Sequence, residues 1–181
     1  VSVGASVRLD GLAWLSGANV FYAIGTVTGS TFPRGVAFRV SDTGTNLDQR
    51  YLFNGGTGMR VFQCVANGGS QTSLTSIVAR PNGQGVVIGG GCVIESSPAP
   101  PVRATLMALN ADGTRDTSFT MAEGFDFQLR NLAVGIANQI DALSVDPEGR
   151  LLAFATVKPT SASETQIALL RFHLDDAMTL R

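Results

Sequence analysis

The chain has 181 residues, 44% of them hydrophobic and 15% charged, with 21 glycines, which suits one domain with a sizeable core. Its formal net charge is −1 and its pI about 5.8, so it lacks the basic footprint that a nucleic-acid or anionic-membrane partner requires. No apolar run approaches the ~18 residues of a membrane helix, which argues against membrane insertion.

Low charge, abundant glycine and many Val, Thr and Ser favour sheet over helix, because β-branched side chains pack well on a pleated surface. The first elements lie in LDGLAWLSGANVFYAIGTV, residues 9–27, which reads as two apolar strands around a Ser16-Gly17 turn. A polar loop at 28–34 follows, then a third strand, GVAFRV, and a turn at Asp42-Thr43-Gly44. A looser fourth strand falls within residues 56–69.

The pattern then repeats. LTSIVARPNGQGVVIGGG, residues 74–91, predicts a hairpin around Pro81-Asn82-Gly83, where proline presets the bend and glycine supplies a positive φ. A loop at 94–102, the strand RATLMAL and an Asp112-Gly113 turn come next, with a fourth strand expected in EGFDFQLRNLAVG, residues 123–135. The third copy, IDALSVDPEGRLLAFATV, carries Pro147-Glu148-Gly149 at a displacement of 66 residues from the second. Its loop spans 157–166, its third strand is IALLRFHL, and Asp175-Asp176-Ala177 stands where a glycine turn is expected. Ile77 and Ala79 share one face of their strand, as do Leu143 and Val145.

Four strands per 66 residues, with short turns and no helical pattern, predict an all-β fold. The fixed period favours a β-propeller-like domain over 1–181, with three four-stranded blades at about 5–66, 67–132 and 133–181. Three blades do not close a ring. The expected arrangements are a partial propeller within a longer protein, half of a six-bladed ring completed by a homodimer, or an N-terminal strand that completes another copy's last blade.

The run hydrophobic-x-Pro-x-Gly-x-hydrophobic, then glycine, then a strand ending in Asn110-x-Asp112-Gly113-x-x-Asp116-Thr117-Ser118-Phe119, resembles the delta-60 repeat family of bacterial β-propellers. The third strand of that family carries an arginine, which Arg39 and Arg171 match in the flanking copies while the middle copy has Ala108. The first copy keeps Asp42, Gly44 and Asp48 with one extra residue between the last two. The resemblance implies a fold; the family has no common catalytic residues.

Asn110, Asp112 and Asp116 alternate oxygen side chains around a glycine, as some calcium loops do, but the further carboxylates and closing glutamate are missing. The turn reading is preferred: Asp112 accepts turn N–H groups, Gly113 takes the bend, and no metal or cofactor is expected. Arg39 and Arg171 lie beside apolar strand positions, where an unpaired guanidinium is costly, so Asp48 or Asp116 is the expected partner in a clamp between blades. His173 is the one histidine and has no nucleophile elbow beside it. Cys64 and Cys92 read either as two buried thiols or as one bridge, which would indicate export. Gly89-Gly90-Gly91 precedes no helix, so it reads as a close approach or bulge and not as a phosphate loop. Trp14, Phe21, Phe38, Phe53, Phe62, Phe119, Phe125, Phe127, Phe154 and Phe172 fall mainly at strand positions and read as core.

In a propeller the loops 28–34, 94–102 and 157–166 share one face with the segments 66–72 and 134–140 that enter successive blades. Loops on a rigid repeated scaffold are where binding resides. The expected function is a non-enzymatic binding or scaffold module for a protein or glycan, extracellular or at the cell surface, and otherwise cytoplasmic. A purely structural repeat segment of a larger secreted protein is the alternative. A hydrolase or lyase with a channel site of Asp and Arg is a further one, weakened by the missing nucleophile–base pair.

Overall fold

Alternating apolar positions between turn residues fold here as three up-and-down meanders stacked face to face. The structure is a computed structural model that describes residues 6–29, 33–41, 59–62, 70–94, 102–116, 137–158 and 164–172. The first sheet is β1 (Ser6–Leu15), β2 (Val20–Thr28), β3 (Arg34–Ser41) and β4 (Met59–Phe62), each antiparallel to the next. The second is β5 (Ser70–Ala79), β6 (Gly85–Ile94) and β7 (Val102–Asn110). The third is β8 (Ala137–Val145), β9 (Leu151–Lys158) and β10 (Gln166–Phe172). A single parallel pair, Val102 with Ala137, ties the second sheet to the third at its edge. The protein is therefore all-β, and among the described residues no sheet closes on itself. The fourth strand expected at 123–135 lies outside the described residues, as do Asp48, Phe53, Phe119 and His173.

The middle sheet is buried on both faces, and its period-2 alternation divides two cores. Val86, Ile88, Met107 and Leu109 pack with Leu15, Tyr22, Ile24 and Phe62 of the first sheet. Val87, Leu106 and Ala108, one residue out of phase, pack with Ile140, Leu151 and Phe172 of the third. Successive residues of one strand thus serve different interfaces, which accounts for the unbroken apolar run in β6.

The aromatic expectation needs correcting. Phe62 and Phe172 are fully buried, but Trp14, Phe21 and Phe154 are exposed, on the outward faces of the first and third sheets. A strand with two apolar faces reads alike whichever face the neighbouring sheet covers. Trp14 and Phe21 stack on each other across the β1–β2 pair, centroids 4.4 Å apart.

The hairpins follow the turn chemistry with one difference. Gly83 and Gly149 take φ of 70° and 79° as expected, but in the first hairpin Asn19, at φ 53°, takes the left-handed position and Gly17 does not. Asparagine tolerates that region because its short side chain hydrogen-bonds locally.

The first strand of each sheet carries a bulge that the sequence reading did not anticipate. β1, β5 and β8 each shift register at one residue, at Asp10, Thr75 and Asp141 respectively. The glycine run in β6 sits opposite the middle bulge. A Cβ on Gly90 would lie 2.0 Å from the Ser73 carbonyl oxygen, so only glycine lets the two backbones come this close.

Candidate functional site

Two ends of the stack carry chemistry. At the hairpin end, Tyr22 of the first sheet donates its hydroxyl to the carbonyls of Asn110 (3.1 Å) and Ala111 (3.2 Å) in the turn after β7. Burial pushes its phenol up to about 12, against the opposing pull of the Arg39 guanidinium. Arg39 is 5% exposed, hydrogen-bonded to Tyr22, and close enough to Asp112 to favour its ionised form. In the turn itself, Asp112 accepts the Thr114 backbone N–H (2.9 Å) and hydroxyl (2.7 Å), while Gly113 at φ 88° donates to the Asn110 carbonyl. Those Thr114 donors, the hydroxyl foremost, hold the Asp112 carboxyl below its ordinary value.

Asp116 pairs with Arg80, Nη1 to Oδ2 at 2.5 Å, and both side chains are about nine-tenths buried at 10% and 11% exposure. Arg80 follows β5 and Asp116 follows β7, so this clamp lies within the middle sheet, closing its hairpin onto the Asp-Gly turn. Sequence reasoning overlooked Arg80; a lone arginine directly before Pro81 was the available signal. Arg171 lies on the outward face of the third sheet and is exposed, while Arg39 lies between sheets. These two arginines, at equivalent strand positions, thus occupy unlike environments. Arg60, also buried, reaches the Gly113 carbonyl at 3.4 Å and lies over the Phe62 ring.

At the opposite end, a cleft of about 370 Å³ opens between the sheets. Thr28 and Pro33 border the loop after β2, Val102 opens β7, and Gln71, Thr72 and Gln139 lie near the start of β5 and β8. The Thr72 N–H donates to the Pro33 carbonyl at 3.1 Å and pins the middle sheet to the first. At the rim, Arg8 is neutralised by Asp10, which accepts Nε at 2.7 Å and also the Thr26 hydroxyl at 3.4 Å. The β1 bulge is what turns Asp10 toward these partners.

The cleft owes its room to Gly91. The bulge residue Asp141 of the third sheet accepts the Thr156 hydroxyl at 2.5 Å, as Asp10 accepts that of Thr26. In the middle sheet the corresponding pair is Thr75 and Gly91, and Thr75 reaches instead to the carbonyls of Gly89 (3.2 Å) and Ile140. A Cβ on Gly91 would stand 3.2 Å from Val102 and 3.4 Å from Gln139, inside the space that is left open.

Among the described residues, the lining is made of hydroxyls, two amides and short apolar groups, with Arg8 its one charge. Such a surface can exchange hydrogen bonds with an uncharged polar partner. Among the described residues, its lining includes no histidine, cysteine or carboxylate.

Cys92, beside this cleft on β6, is disulfide-bonded, so the two-thiol expectation does not hold. The sequence has one other cysteine, Cys64, which lies outside the described residues. No protein-family model and no curated protein matches the chain.

Proposed function

We propose that this chain is a β-propeller-type binding module of the delta-60 repeat kind, non-enzymatic, that holds an extended protein segment in the cleft at its loop end. The observation that carries the reading is the lining of that cleft. Neutral hydrogen-bonding side chains from all three sheets converge where loops 28–34 and 94–102 meet β5 and β8. Gln71 and Gln139 bring side-chain amides, the same chemical group as a peptide unit, to the lining. A glycan is the weaker fit, because among the described residues no aromatic ring lines the cleft for a sugar to stack on. The face-to-face stack of meanders with equivalent bulges supports the propeller arrangement. The disulfide at Cys92 supports an oxidising, extracellular setting. Against a channel hydrolase, Asp10, Asp112, Asp116, Asp141 and Asp146 all engage hydroxyl or cationic partners within the fold.

The test is binding to a random peptide library and, in parallel, to a glycan array. Gln71→Ala and Gln139→Ala together should weaken a peptide hit about tenfold or more, from the loss of two hydrogen-bonding side chains. Peptide binding indifferent to both substitutions, or hits on glycans alone, would defeat the reading.

A further inference from the structure

The two outward faces of the stack are related by the repeat to faces that the molecule already buries. Taking the strand pairings as the ruler, Leu9, Leu12, Trp14 and Phe21 of the first sheet correspond to Leu74, Ile77, Ala79 and Val86 of the second. Those four middle-sheet residues belong to the core shared with the first sheet. In the third sheet, Phe154, Ile167, Leu169 and Arg171 correspond to Gly89, Ala104, Leu106 and Ala108. The latter are the middle-sheet residues turned toward the third sheet. The outward face of the first sheet is thus of the kind that receives a preceding sheet, and that of the third is of the kind that receives a following one. Both are strongly apolar: Leu12 is 64% exposed, Leu9 63%, Leu169 60% and Ile167 82%. Single exposed hydrophobics are ordinary, but contiguous ones on a flat sheet face mark a contact.

From this correspondence we infer that the first sheet of one copy docks on the third sheet of another, head to tail, continuing the stack across the molecular boundary. The arginines follow the same correspondence. Arg171 occupies the place that Arg39 holds in the first sheet, and Arg39 is buried beside Tyr22 and the Asp112 turn. Docking would cover Arg171, which is exposed, as the second sheet covers Arg39. The contact is heterologous, using two different patches, so two copies can meet twice and close, or further copies can add. The inference does not depend on what the cleft binds.

The experiment is light scattering coupled to size exclusion on the 181-residue chain at micromolar concentration. The expected mass is twice the 18.9 kDa of one chain, or a higher multiple. Leu12→Arg and Ile167→Arg, both at exposed positions outside the cores, should each give a monomer with an unchanged far-ultraviolet spectrum. Mixing the two variants should restore a pair, because each supplies the face that the other has lost. A monomeric wild-type chain overturns the inference. So does one variant that still associates alone, the mark of a like-to-like contact, or a mixture that stays monomeric.

Discussion

Replacing Asp116 with alanine leaves the Arg80 guanidinium nine-tenths buried at the hairpin end of the middle sheet without the carboxylate that faces it at 2.5 Å. Two unit charges about 4 Å apart attract by about 4 kcal/mol at an effective dielectric of about 20. Breaking a buried pair by deleting one partner costs about 3–5 kcal/mol, because the survivor has lost its water as well as its mate. Because each side chain keeps some contact with solvent, the lower end applies, about 3 kcal/mol. In a chain of this length each kcal/mol moves the melting midpoint by about 2–4 °C, so Asp116→Ala should melt about 6–12 °C below wild type. The double variant Arg80→Met/Asp116→Leu, which removes both charges and keeps apolar volume, should recover most of that loss. The assay is urea unfolding of the four corners of the cycle, followed by circular dichroism, with constant m-values as the condition for comparing them. If Asp116→Ala lies within about 0.5 kcal/mol of wild type, the pair contributes no more than an exposed salt bridge would and the clamp assignment is wrong.

Three further outcomes are expected. Gly90→Ala should destabilise by about 1–3 kcal/mol or more in chemical denaturation, since its Cβ would meet the Ser73 carbonyl oxygen at 2.0 Å; a neutral result would mean that β5 and β6 can part there at no cost. The carboxyl of Asp112 is depressed in the folded state, so its contribution is fully present above the ordinary value of 3.8 and is lost as pH falls through the lower folded value. Thr114→Ala should therefore flatten the acid limb of the stability–pH curve while leaving its slope at neutral pH alone, and a parallel shift at every pH would show that Thr114 acts by packing. Reduction with dithiothreitol should lower stability by about 2–4 kcal/mol through the bond at Cys92, read as a drop in the urea midpoint that Cys92→Ser reproduces without reductant.

The local features were readable because their causes are local. Glycine after proline at residues 81–83 and 147–149, and Asp112-Gly113 with Thr114 following, encode turns through backbone conformation and hydrogen bonds that span four or five residues. Alternation encodes strands in the same way. The bulges at Asp10, Thr75 and Asp141 were also present in the sequence, as a polar residue following Leu9, Leu74 and Ile140 in each repeat. They went unread because a polar residue on such a strand looks like ordinary solvent-facing alternation until the register shows the extra residue.

By itself, then, the amino-acid sequence determined an all-β chain of repeated hairpins, their turn positions and the polar loops between them. Each of these depends on side chains a few residues apart. The tertiary structure decided which of two equally apolar faces is covered, so that Trp14 and Phe154 lie outside while Phe62 and Phe172 lie within. It also chose Arg80 as a partner for Asp116, across 36 residues, and opened a cleft where Gly91 leaves out a side chain that its counterparts Thr26 and Thr156 possess. These outcomes turn on which sheet stacks on which, and period-2 alternation is blind to that because it gives a strand two faces without saying what lies against either.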